Sequence, residues 1–237
     1  PTRRSSDLIY GTLPEESVFI NQDTLWSGTG NREKGGVDRA LLNKAKKLSL
    51  AGSYYEAQQL VEEHMLGDYN ESYMPLGVVK YSFPQVKEYK NYRRELDLGQ
   101  ALLKTEFVSG DVRYQSEIFS SYPDNVIAIK IRSGEANKLD VIFNFESRLQ
   151  YFSAIHEGNG IVISGNAPSH VEPNYVPSHH PVVYEKTDLG MPFCGYLRVE
   201  NQDGGLYIEE GKLHVMHATE VIAYIKVSNG DEGLQTP

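Results

Sequence analysis

From Ala101 onward, apolar and polar residues alternate along the chain with a period of two. Ala101–Val108 and Val112–Phe119 alternate in this way and are separated by Ser109-Gly110-Asp111, a hairpin signal. Asn125–Arg132 puts Ile127, Ile129 and Ile131 on one face, and Leu139–Phe145 does the same with Val141, Phe143 and Phe145. Further strands are expected at Gly160–Ser164, Gly195–Glu200, Gly205–Glu209, Lys212–His217 and Glu220–Val227, with Gly-rich turn signals between them. Strands this frequent, with no helices between them, predict antiparallel sheets packed face to face. About ten strands exceed an immunoglobulin-sized unit, so a larger two-sheet sandwich is expected.

The period changes to helical only near the N-terminus. Asp38–Leu50 carries apolar residues at 41, 42, 45 and 48, with lysines on the opposite face. Gly52 stops this helix, and Ser53-Tyr54-Tyr55-Glu56 reads as a capping box that starts a second, running to about Met65. Ala57, Leu60, Val61 and Met65 share one face of it. The fold class is therefore mainly β, an antiparallel sandwich of two packed sheets with a helical hairpin inserted near its start.

Two segments fit neither period. Val18–Ile20 reads as the end of a short strand, and Asn21–Gly36 follows as a loop that holds Trp26, the one Trp of the chain. Asn21, Asp23, Thr24 and Ser27 surround that Trp with groups able to bond hydroxyls, and its ring offers a flat apolar face. Trp26 either meets a ligand or plugs a gap between the sandwich and another element. The second segment, Ala167–Asp188, holds four prolines and three of the seven histidines. Loops of this length inside compact domains are usually functional or mobile.

Composition narrows the chemistry. The chain has 237 residues, is 40% hydrophobic, and can bury one large core. The net charge of -9 argues against a nucleic-acid partner, whereas a neutral partner such as a sugar fits. Tyr accounts for 16 residues and suits both sheet surfaces and sugar contacts. One cysteine, Cys194, allows no intrachain disulfide, and its neighbours Phe193 and Gly195 suggest a small buried residue. No run of 18 apolar residues occurs, so no membrane span is expected.

Catalytic signals are weak. His170, His179 and His180 match no zinc spacing, so polar loop roles are favoured, with His170 the one candidate for a ligand contact, and no metal or cofactor is expected. No nucleophile elbow, phosphate loop or dinucleotide motif occurs. Paired carboxylates would suit glycoside hydrolysis, but 32 acidic residues make pairs easy to find by chance. The octapeptide Pro1–Leu8, read back through the genetic code, matches the tail of a sequencing adapter; it is expected to be non-native, with the folded domain over residues 9–229 and a truncated tail at 230–237.

Six stretches in this order carry a resemblance. They are "INQDTLWSGTG", "AGSYYEAQQLVEEHMLG", "MPLG", "NYRRELDL", "SSYPDNVIAIKI" and "APSHVEPNY". Together they resemble the N-terminal domain of glycoside hydrolase family 95, the inverting α-L-fucosidases and related α-L-galactosidases. Gln22 stands where that family usually has Glu, and "TGNREKGG" replaces its usual continuation.

The resemblance implies a β-supersandwich joined through a helical linker to an (α/α)6 barrel that holds the general acid and the groups that activate water. No residue within 9–229 then inherits a catalytic role. The implied partners are that barrel and a fucosylated glycan, and the implied parent enzyme is bacterial and periplasmic or secreted. Asn21, Asp23, Thr24, Trp26, Ser27, His170, Asn174 and Tyr175 are the candidates for walling the substrate cleft or sealing the contact with the barrel. The alternative is a free-standing carbohydrate-binding sandwich that docks glycans through Trp26 and tyrosines.

Overall fold

The alternation becomes two antiparallel sheets in the computed structural model, which describes residues 5–29, 38–66, 70–187 and 190–230. The chain runs β1 (Ser5–Ile9), β2 (Glu15–Gln22), α1 (Arg39–Leu50), α2 (Tyr54–His64), β3 (Gly77–Ser82), β4 (Lys90–Asp97), β5 (Leu102–Ser109) and β6 (Val112–Ser121). It continues through β7 (Val126–Ser133), β8 (Leu139–Glu146), β9 (Gln150–His156), β10 (Gly160–Asn166), β11 (His170–Val171) and β12 (Val182–Val183). The last strands are β13 (Pro192–Asn201), β14 (Gly205–Glu209), β15 (Lys212–Ala218) and β16 (Glu220–Asn229).

A smaller sheet has the order β1-β2-β3-β8-β15-β14, and a larger one β4-β5-β6-β7-β16-β13-β10-β9. Consecutive strands β7 and β8 lie in different sheets, as do β15 and β16, so these connections tie the two layers together. Every position expected to face inward on β7 and β8 is buried: Ile127, Ile129 and Ile131 meet Val141, Phe143 and Phe145 in one core cluster. Phe145 is fitted against two glycines. A Cβ added at Gly195 would lie 2.6 Å from its ring, and one at Gly77 3.1 Å from it. The two glycines make room for the aromatic ring, which is why β13 and β3 carry them at inward positions.

Several strands escaped the sequence reading. β4 is exposed along most of its length and reads as a charged run, Lys90 to Asp97, because it forms an edge of the large sheet. Charged side chains there discourage pairing with another chain. β9 forms the other edge, with Phe152 83% exposed. β2 is longer than the short strand expected, and its inward face carries Glu16 and Gln22 as well as Val18 and Ile20. Glu16 is satisfied there, accepting hydrogen bonds from the Gly11 and Ser17 amides at 2.9 Å.

β1 pairs Ser5–Ile9 with Gln22–Val18, so the small sheet begins four residues ahead of the expected start at 9. This pairing runs through backbone amides and needs no particular side chains. Residues 1–4, most of the "TGNREKGG" stretch and residues 231–237 lie outside the described residues.

The hairpin forms as expected, with two differences. Asp38 caps α1 by accepting from the Ala40 amide at 2.8 Å. Ser53 occupies the N-cap of α2 but makes no side-chain cap bond, so the capping box marks the boundary without closing its hydrogen bonds. The helices pack on each other through Ala45 and Ala57 and contribute nothing to the sandwich core. Cys194 also departs from expectation. Phe193 and Gly195 are the residues that point inward; Cys194 alternates onto the outer face of the large sheet and is only half-buried, which still pushes its thiol pKa up.

Candidate functional site

The Trp26 loop begins where β2 ends. The Leu25 amide donates to the Gln22 carbonyl at 3.0 Å, closing a tight turn. Neighbouring residues in such a turn project in different directions, and here the division of labour is clear. Leu25 is fully buried and plugs the end of the core, while Trp26 is 42% exposed. Of the two residues, it is Leu25 and not Trp26 that fills the sandwich core. The indole Nε1 of Trp26 donates to the Asp23 carbonyl at 3.1 Å, and its ring meets Tyr73 edge-on, centroids 5.6 Å apart. A backbone bridge pairs Trp26 with Tyr73, and the Met74 amide donates to the Leu25 carbonyl at 3.0 Å. The loop is therefore held from below and on one side, with an aromatic face turned to solvent.

Glu71 fastens this loop to two others. The Ser27 hydroxyl donates to its carboxylate and accepts from the Ser72 amide at 2.9 Å. On the other side, His170 Nδ1 lies 3.0 Å from Glu71 Oε1, and the Val171 amide donates to Glu71 Oε2 at 3.4 Å. His170 Nε2 reaches Glu172 at 3.2 Å. Gly28 permits the approach: it has φ +96°, and a Cβ there would lie 2.6 Å from the Glu71 side chain. Its amide donates to the Pro168 carbonyl at 2.9 Å. Three loops, at 23–29, 71–76 and 167–172, thus converge on one carboxylate at one end of the sandwich.

The electrostatics follow from this geometry. The hydrogen bond to Glu71, helped by Glu172, raises the pKa of His170, with burial opposing it. Glu71 already serves Ser27, Val171 and His170, which suits a staple better than an acid or base with a free face for substrate. A group whose pKa rises on folding contributes its full stabilisation below its unfolded value, near 6.5 for His, and loses it as pH climbs through the folded value. The difference in Tm between the wild-type chain and His170→Ala should therefore be largest near pH 6 and shrink toward pH 9. A difference that is flat or grows over that range, in thermal melts at matched ionic strength, would count against the staple.

The structure brings together only some of the candidates read from the sequence. Ser27 and His170 meet through Glu71, with Trp26 beside them. Thr24 accepts from the buried Asn229 side chain at 2.5 Å and so ties the loop to β16. Asp23 is exposed. Asn174 and Tyr175 sit at the outer turn of the 167–188 segment, closed by a Val176 amide to Pro173 carbonyl bond of 2.9 Å; Tyr175 is 70% exposed. The segment itself is a loop closed by the β11–β12 ribbon, and His179 and His180 stand exposed on it, apart from the His170–Glu71 contact. Asn21 lies elsewhere, on the outer face of the small sheet. Glu71 and Tyr73 were missed, because a single carboxylate among 32 acids in a short polar linker carries no local signal. Beneath the loop, Gln22 Nε2 and Asn229 Oδ1 are buried and have no hydrogen-bond partner among the described residues.

Residues 7–233 match the family described as "Glycosyl hydrolase family 65, N-terminal domain". The chain is 28% identical over 233 residues to "Alpha-L-fucosidase 2" of Arabidopsis thaliana, covering 95% of this chain and 28% of that protein. It is 28% identical over 144 residues to "Probable alpha-fucosidase A" of Aspergillus niger, covering 59% of this chain and 18% of that one. The chain thus spans less than a third of the length of either relative. A solved structure titled "Putative kojibiose phosphorylase from human microbiome" aligns with 10% identity and a TM-score of 0.43, covering 73% of this chain and 26% of that one.

Proposed function

The chain belongs to the glycosyl hydrolase family 65 N-terminal domains, and from that premise we propose that it is the non-catalytic sandwich of an inverting, exo-acting α-L-fucosidase. The likeness to fucosidase N-terminal domains read from the six motifs holds, since both curated relatives carry fucosidase names. The parent enzyme would remove terminal α-linked L-fucose, or L-galactose, from glycans, with the acid and base supplied by an (α/α)6 barrel of the same parent chain.

The observation that carries the domain's own role is the Glu71 staple. It fixes three loops at one end of the sandwich and leaves the Trp26–Tyr73 aromatic pair at their exposed edge. A surface held this firmly yet turned outward suits contact with the barrel or with the substrate at the cleft wall.

Trp26→Ala separates this reading from a structural one. Because Leu25 fills the core, the substitution should cost the 237-residue chain less than about 1 kcal/mol, against roughly 3–5 kcal/mol for a core aromatic. In the full-length parent it should lower kcat/KM by about tenfold or more. Chemical denaturation of the domain and steady-state kinetics of the parent provide the two readings. A parent enzyme unaffected by the change removes the cleft-wall role.

A further inference from the structure

The outer face of the small sheet carries a second feature, apart from the Glu71 staple. Between β1 and β8 lies a pocket of about 370 Å³, walled by Tyr10 and Phe19 and lined opposite them by Lys80, Glu146 and Arg148. The register explains how it forms. Phe19 pairs with Val78, and Val78 with Glu146, so these outward side chains stand in one row across β2, β3 and β8. The chain leaving β1 then brings Tyr10 over Phe19, with ring centroids 4.9 Å apart and planes tilted by 38°. Tyr10 is 57% exposed, so one aromatic face looks into open space.

The opposite wall is polar in a particular way. Lys80 and Glu146 form an ion pair and cancel each other's charge. An ammonium has three donors and a carboxylate about four acceptor positions, so the pair keeps hydrogen-bonding capacity for a guest. Arg148 is exposed and has no ion-pair partner among the described residues. Its planar fork can donate to two adjacent oxygens.

We propose that this pocket is a saccharide subsite for an uncharged pyranose. A pyranose has an apolar C–H face, which fits the Tyr10–Phe19 wall, and a rim of hydroxyls that both donate and accept, which fits Lys80, Glu146 and Arg148. A purely apolar guest would desolvate the Lys80–Glu146 pair and Arg148 and offer them no hydrogen bonds in return. An anionic guest would gain Arg148 alone, against the Glu146 carboxylate on the same wall and a chain of net charge -9. The volume lies at the lower end of the roughly 300–1,000 Å³ range of small-molecule sites, the size for a mono- or disaccharide. The inference does not rest on the Trp26 loop facing a barrel, because a different face and different residues carry it.

The test titrates the 237-residue chain with methyl α-L-fucoside and methyl β-D-galactoside, following amide resonances by NMR. Binding of a single ring is expected with Kd on the order of 1 mM. The amides of Val78, Lys80 and Glu146 should shift for at least one of the two sugars. Tyr10→Ala should weaken binding about tenfold or more with the Tm preserved, Tyr10→Phe should retain it, and Phe152→Ala, on the exposed edge of the large sheet, should leave it unchanged. If neither sugar shifts these amides, or if the shifts survive in a folded Tyr10→Ala chain, the subsite is overturned. Shifts that move to the Trp26 loop and vanish in Trp26→Ala overturn it as well and assign sugar contact to that loop.

Discussion

The isolated 237-residue chain should leave nitrophenyl α-L-fucoside unhydrolysed, with turnover about 10⁴-fold or more below that of a parent enzyme. Glycoside hydrolysis places two carboxyl groups on either side of the scissile bond, and one of them must stay protonated near neutral pH. Among the described acids with shifted pKa values, the shift runs the wrong way. The hydrogen bond from Arg113 lowers Glu106, and hydrogen bonds from Thr219 lower Asp203. Glu71 is the most sheltered carboxylate at the candidate site, and Ser27, Val171 and His170 already engage it. A positioned acid and a positioned base each contribute about 10²–10⁴-fold, so losing both leaves almost nothing. Turnover by pure chain that disappears in Glu71→Gln would place the chemistry in this sandwich and defeat the proposal.

Phe145→Ala should cost the domain roughly 3–5 kcal/mol, and Gly195→Ala about 1–3 kcal/mol, for connected reasons. Phe145 is 2% exposed, and its ring fills the space that Gly77 and Gly195 leave open. Removing the ring leaves a cavity between the sheets. Adding a methyl group at Gly195 instead drives it to 2.6 Å from the ring, and the packed core resists the shift. In the double substitution the methyl enters the space the ring has left. Its cost should fall below the sum of the two single costs by about 1 kcal/mol or more, as expected for residues in contact. Urea unfolding of the four chains supplies the cycle. Strict additivity would show that Gly195 does not make room for Phe145.

The sandwich itself was legible because its inner strands are shaped by one local rule. Where a strand lies between neighbours and one face is buried, every second residue must be apolar, and Ile127 to Ile131 or Val141 to Phe145 state that rule in the sequence. Edge strands escape it, since solvent reaches both faces of β4 and β9. The hairpin was legible for a similar local reason, its apolar residues recurring at helical spacing.

The site was legible only in part. Its unusual composition marked the Trp26 loop, and a polar, Gly-rich stretch around a Trp needs no partner to be noticed. Local sequence could not tell which of two adjacent residues, Leu25 or Trp26, turns inward, because that depends on where β2 ends against the opposite sheet. Nor could it single out Glu71, which acquires its role only when Ser27 and His170, distant along the chain, reach the same carboxylate. Periodicity and local propensity thus determined the layers and the helices. Tertiary structure decided the staple and the pocket, because hydrogen bonds between remote loops and rows of side chains across paired strands exist only once the register is set.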